Sequence, residues 1–259
     1  MSATASEVQI AWERRGDGLP LLLIHGLGYA RWGWEPVVQP LAEDFSLLLF
    51  DNRGIGESDA PPGPYTAAEL AGDALGVLDA AGVQRAHVLG TSLGGMVAQE
   101  LALAAPQRVD RLVLACTTPG GPRSAPMPQR TVQLFAEGPT LPPEVGLRRF
   151  VENALAPGAD RAIVDRILEH RLATAQPLPA WQAQAAAGMT FDAADRIGAI
   201  EAPTLVLHGT DDFVVDPANA ELLASRIPGA LLELFPGTGH LFFWEEPERF
   251  VRAVKEFLS

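Results

Sequence analysis

Gly90-Thr91-Ser92-Leu93-Gly94 follows a short apolar run, Ala86-His87-Val88-Leu89, and opens into a helix-like stretch from Gly95 to Ala105. Gly-x-Ser-x-Gly between a strand and a helix predicts a nucleophile elbow, with the Ser92 hydroxyl projected from a tight turn. The flanking glycines fit because a side chain at either position would clash in so sharp a bend. A serine hydroxyl is a poor nucleophile at neutral pH. It needs a base to take its proton, a carboxylate to orient that base, and two donors for the oxyanion that forms on the attacked carbonyl.

The chain has five histidines. His240 stands in Gly237-Thr238-Gly239-His240, just past the apolar run Leu231 to Phe235, and a histidine there can reach across the top of a sheet to Ser92. His208 ends an apolar run and is expected to be structural. His87 starts a run at the opposite end, His170 lies in a helical block, and His25 is expected to brace its loop. With chain order serine, acid, histidine, the acid falls between Ser92 and His240. Gly209-Thr210-Asp211-Asp212-Phe213-Val214-Val215 supplies two adjacent carboxylates. Asp212 is favoured, leaving Asp211 to sit in solvent or cap a turn. The alternative position after Arg111 to Ala115 holds only Cys116, Thr117 and Thr118. The backbone N–H of Leu93 is one expected oxyanion donor. The other is assigned to Leu27 in the loop His25-Gly26-Leu27-Gly28. Trp32 and Leu241 adjoin these elements and are the candidates for lining a substrate pocket, although ordinary packing accounts for such side chains equally well.

Strands and helices must bring these residues together. Short apolar runs at Leu21–Ile24, Ser46–Phe50, 86–89, 111–115, Thr204–His208 and 231–235 read as strands buried on both faces. Val8 to Glu13 alternates apolar and polar residues, and with the following Gly16-Asp17-Gly18 reads as an early hairpin. Thr66-Ala67-Ala68-Glu69 is a capping box for a helix reaching about Ala81, where Gly82 stops it. A helix over 93–105 ends at Pro106, another starts at Pro217 and runs to Arg226, and Pro247 to Leu258 is amphipathic. Strands alternating with helices predict an α/β fold with a mostly parallel, doubly wound sheet. From Gly120 the pattern changes. Four prolines between 119 and 128 precede helical stretches at 129–137, 143–156, 159–174 and 178–188. Residues 1–119 and 196–259 are therefore expected to form the core, with 120–195 a helical insertion after the strand at 111–115.

Composition narrows the options. The 259 residues are 47% apolar, enough for a sizeable core. A formal net charge of −13 argues against nucleic-acid or anionic-membrane partners. Cys116 is the only cysteine, so no intrachain disulfide forms. The first residues lack a basic and an apolar signal region, and no apolar run approaches the roughly 18 residues of a spanning helix, so a cytoplasmic protein is expected. Neither a metal-binding motif nor a complete Gly-rich nucleotide loop is present, and no cofactor is expected.

Five segments together resemble the α/β-hydrolase family: His25-Gly26-Leu27-Gly28, Asp51-Asn52-Arg53-Gly54-Ile55-Gly56-Glu57-Ser58, the Ser92 pentapeptide, Gly209 to Val215, and Gly237 to His240. Each is weak alone. Their shared order and spacing, spanning nearly the whole chain, is a strong signal. The resemblance implies that Asp212 is the triad acid. Asp216 stands where the family usually has proline, which leaves Asp212 intact. It also implies that residues 120–195 are a cap (lid) over the active site. Ser92 sets the chain apart from the aspartate-nucleophile dehalogenases and epoxide hydrolases. The implied activity is that of a carboxylesterase or lactonase acting on a small ester or lactone. C–C bond hydrolases, cofactor-free perhydrolases and hydrolase-fold ligand receptors share the pattern.

Overall fold

The computed structural model describes residues 2–5, 8–137, 140–174 and 176–259. Among them eight strands form one sheet in the order β1-β2-β4-β3-β5-β6-β7-β8. The six strands β3 (Leu19–Ile24), β4 (Phe45–Phe50), β5 (Ala86–Thr91), β6 (Val109–Ala115), β7 (Thr204–Gly209) and β8 (Leu231–Phe235) run parallel. All six residues of β4, of β5 and of β7 are buried, as strands covered on both faces must be. The mostly parallel, doubly wound sheet expected from the alternation is therefore present.

The two edge strands correct the expected hairpin. β2 (Val8–Arg15) pairs antiparallel with β4, through Trp12↔Phe50 and Glu13↔Leu49, and not with the strand that follows it. β1 (Ser2–Ala5) pairs on its outer side. Gly16 and Gly18 do not close a hairpin. They carry the chain across the start of β4, where a Cβ at Gly18 would lie 2.0 Å from Asp44 O.

Helices cover both faces. α2 (Ala67–Ala80), α3 (Leu93–Ala104) and α8 (Ala218–Arg226) share one apolar cluster with Leu22, Val88, Leu112 and Val206 of the sheet. α1 (Glu35–Ala42) and α10 (Pro247–Leu258) share the opposite one with Leu21, Leu47, Val113 and Leu205. The helical spacing of α10 buries Phe250, Val254 and Leu258, each stabilising the fold by roughly 1.5–3 kcal/mol. The capping box starts α2 as expected: Glu69 N–H donates to Thr66 Oγ1 at 3.2 Å, and Thr66 N–H donates to Glu69 Oε2 at 2.8 Å.

Between β6 and β7 lie α4 (Gln129–Glu137), α5 (Pro143–Asn153), α6 (Arg161–Ala173) and α7 (Leu178–Met189). β3 pairs with β4 on one side and β5 on the other, so the chain's direction across the sheet reverses at β3. In open α/β sheets the crevice at the carboxyl ends of such strands is where ligands bind.

Candidate active site

The elbow emerges from the carboxyl end of β5. Ser92 has φ 54° and ψ −120°, a left-handed conformation that costs a non-glycine residue of order 1–3 kcal/mol. Its surroundings impose it. Ser92 N–H donates to Ala115 O at 2.9 Å, and Thr117 Oγ1 donates to Ser92 O at 2.8 Å. The flanking glycines are sterically required: a Cβ at Gly90 would lie 2.2 Å from Gly94 O, and one at Gly94 would lie 2.0 Å from Ile24 O.

Asp212 and His240 meet above the ends of β7 and β8. His240 Nδ1 is 2.7 Å from Asp212 Oδ2. Asp212 Oδ1 accepts from the N–H groups of Val214 at 2.7 Å and Val215 at 2.9 Å. The side chain of Asp212 is wholly buried. Burial alone would raise its carboxyl, but the charges of and hydrogen bonds from His240 and His208 outweigh it and hold the group well below the usual carboxylate range. Asp211 is left half-buried, with its N–H donating to Thr238 O at 2.9 Å. The His240 loop lies tightly on β7, since a Cβ at Gly209 would sit 2.2 Å from Gly239 O. Among the described residues Ser92 Oγ is not hydrogen-bonded. A catalytic hydrogen bond commonly tightens only once substrate is held.

The loop after β3 lies beside the elbow because β3 and β5 are paired through Ile24↔Gly90. An ideal Cβ at Gly26 would stand 2.9 Å from Ser92 Cβ and 3.5 Å from Ser92 Oγ. Among the described residues the N–H groups of Leu27 and Leu93 donate to no backbone or side-chain acceptor. His25 braces the loop. Its Nδ1 accepts from Gly26 N–H at 2.7 Å, and Asn52 Nδ2 donates to His25 O at 2.9 Å. The imidazole stacks on Tyr29 at 4.7 Å and meets Trp34 and Phe243 edge-on. Burial lowers its pKa to about 3. The charges of His240 and Arg171 push the same way.

The insertion touches each of these loops. Leu241 N–H donates to Ala154 O at 2.8 Å, and a Cβ at Gly239 would lie 2.5 Å from Leu155 C. Gly188 at the end of α7 faces Leu93 and Met96. Asn153 Nδ2 donates to Thr131 Oγ1 at 2.7 Å, and Thr131 Oγ1 donates to Phe213 O, next to Asp212. Leu241 is 3% exposed and belongs to an apolar core cluster. Trp32 is stacked on His170 of α6 at 4.8 Å. It lines an 820 Å³ cleft whose other walls include Glu13, Arg31, Glu35 and Asp51. That cleft does not include Ser92, Asp212 or His240.

Two polar residues matter more than their spacing indicates. His208, expected to be structural, places Nε2 3.0 Å from both Val215 O and Asp212 Oδ2, so two imidazoles face one carboxylate oxygen. Gln184 is buried among alanines of α7 and reaches the β3 loop. Its only sequence signal is a polar residue on an otherwise apolar stripe. Among the described residues no group of histidine, cysteine or acidic side chains is arranged to hold a metal ion, and no helix is long and apolar enough to cross a membrane.

This arrangement of elbow, acid loop and histidine loop on a reversing parallel sheet is that of an α/β hydrolase. The family model for the alpha/beta hydrolase fold matches residues 20–247, and the chain belongs to that family. A 2-hydroxy-6-oxononadienedioate/2-hydroxy-6-oxononatrienedioate hydrolase of Cupriavidus pinatubonensis is 37% identical over 92% of this chain and 86% of its own length. A solved hydrolase of Pseudomonas aeruginosa is 35% identical, with TM-score 0.84, over 100% of this chain and 98% of that one. A thermophilic esterase from Thermogutta terrifontis is 29% identical, also with TM-score 0.84, over 100% and 97% of the two chains.

Proposed function

We propose that this hydrolase cleaves carboxylic esters or lactones through an acyl-serine intermediate, with Ser92 as nucleophile, His240 as base and Asp212 as the acid that orients it. The observation that carries the reading is the strained Ser92 elbow at the reversal of the sheet, on the same edge as a His240 ring already hydrogen-bonded to a buried, ionised Asp212. Asp212 holds the proton of His240 on Nδ1, which leaves Nε2 to accept the Ser92 proton as Oγ attacks the carbonyl carbon. The N–H groups of Leu27 and Leu93 receive the oxyanion. When the tetrahedral intermediate collapses, the alcohol leaves with the proton from His240. Water then gives a proton to His240 and attacks the acyl carbon, the acid departs, and Ser92 recovers its proton. The helices of 120–195 act as the cap that shapes the pocket.

A second reading uses the same groups on a C–C bond beside a ketone. The Cupriavidus relative, named for a 2-hydroxy-6-oxo dienedioate, favours it. A panel of 4-nitrophenyl esters, lactones and a vinylogous 1,5-diketone under one set of conditions separates the two. The expected result is multiple turnover of esters or lactones. Turnover of the diketone with none of any ester or lactone would replace the first reading by the second.

A further inference from the structure

The inner face of α7 is built of Ala180, Ala183 and Ala187, all buried, with Gln184 among them at 1% exposure. A buried amide must place its polar atoms on partners. Gln184 Nε2 donates to Arg53 O at 2.7 Å, and Oε1 accepts from Gly28 N–H at 3.4 Å. One side chain of the insertion thus bridges the loops that follow β4 and β3. From its other side Gly28 is covered by Arg171 of α6: a Cβ there would lie 2.8 Å from Arg171 Nη2, and the guanidinium carbon stands 5.0 Å from the Tyr29 ring centroid.

The loop geometry gives this contact a consequence. Tyr29 N–H donates to Gly26 O at 3.3 Å, which closes a four-residue turn with Leu27 and Gly28 at its centre. Gly28 has φ 77°, the value a type II turn needs at its third residue. In a trans peptide the C=O and N–H point in opposite directions. Anchoring Gly26 O on Tyr29 therefore aims Leu27 N–H the other way. The central peptide, carrying Leu27 O and Gly28 N–H, is the unit that flips when a turn changes between types I and II. Gln184 Oε1 holds that N–H.

We propose that Gln184 is a positioning residue for the oxyanion site: by holding Gly28 N–H from the insertion it keeps the turn closed through Tyr29 N–H and Gly26 O, the hydrogen bond that sets the direction of Leu27 N–H. The proposal rests on the reading of Ser92 as nucleophile and of these two N–H groups as its oxyanion donors. The test uses Gln184→Met, which keeps length and burial without hydrogen bonds, and Gln184→Ala. Rates are expressed per serine titrated with a fluorophosphonate, so misfolded protein does not count. Loss of one oxyanion donor costs 10²–10³ in kcat, and loosening one is expected to cost about tenfold or more. Both variants should lower kcat by that factor with KM within about twofold. Affinity for a trifluoromethyl ketone, whose hemiketal oxygen occupies the oxyanion site, should fall by a similar factor. Unchanged kcat and ketone affinity, or a rise in KM alone, would show that Gln184 only fastens the insertion and overturn the proposal. A different result, Ser92→Ala turning over esters as fast as wild type, would remove the reading beneath it.

Discussion

At the scale of single residues, the site combines groups whose environments push them to opposite ends of their titration. Asp212 is held ionised by the histidines facing it, and His25 is held neutral by burial. The second fact has a stability consequence. The folded pKa of His25, about 3, lies below its ordinary value of 6.5. Between those values the unfolded chain binds a proton that the folded chain does not. His25 therefore opposes folding progressively as pH falls below 6.5, by up to about 1.4 kcal/mol per pH unit. Asp212, with its depressed pKa, loses its contribution only in more acidic solution, whereas His87, whose pKa burial also lowers, acts in the same direction as His25 between pH 6.5 and 4.5, so the difference between wild type and a His25 variant reports His25. His25→Asn keeps an acceptor for Gly26 N–H. Urea unfolding of that variant should show a shallower loss of stability across the window than wild type; equal slopes would contradict the burial argument. Ser92 and His240 were legible as residues because their motifs are local, a glycine on either side of one and a Gly-rich approach to the other. Gln184 was not, because its partners lie 131 and 156 positions away and no spacing rule connects them.

At the scale of elements, the parallel strands positioned the site, and their continuous apolar runs made them readable. Two features escaped for physical reasons. α1 carries Pro36 near its start and Pro40 inside, and proline removes the N–H that a helix interior uses, so its pattern does not announce a helix. The alternation of β2 identified a strand but not its partner: register and neighbour are set by β4, nearly forty residues on. The elbow gives the sharpest prediction here. Gly94→Ala would force a methyl to within 2.0 Å of Ile24 O, a backbone atom that cannot swing aside. The variant should lose about 2 kcal/mol or more of unfolding free energy, together with most of its fluorophosphonate-reactive serine. Wild-type stability and labelling in Gly94→Ala would mean that the strand-to-helix turn is less constrained than its contacts indicate.

At the scale of the whole molecule, one sheet presents Ser92, Asp212 and His240, the proposed nucleophile, acid and base, at the ends of β5, β7 and β8, and the insertion 120–195 contacts the loops that carry them. The order of the five motifs indicates this arrangement, because neighbouring parallel strands present their carboxyl ends, and the loops that follow them, on one edge of the sheet. The pocket was not legible. Trp32, close in sequence to the β3 loop, faces a cleft shared with Glu13, Arg31 and Asp51, and Leu241 packs in the core beneath the insertion. Trp32 lies in a single 3-10 turn, Arg31–Trp34, and Leu241 just before another short helix, segments too brief for periodicity to reveal side-chain direction. The central claim, that Ser92 carries the acyl group, is tested most directly by rapid mixing of enzyme with a 4-nitrophenyl ester, followed by acid quench and peptide mass analysis. The account predicts a burst of about one equivalent of nitrophenol per active site and an acyl adduct on the peptide containing Ser92, both absent in Ser92→Ala. Undiminished ester turnover in Ser92→Ala, or an adduct on another residue, would contradict it.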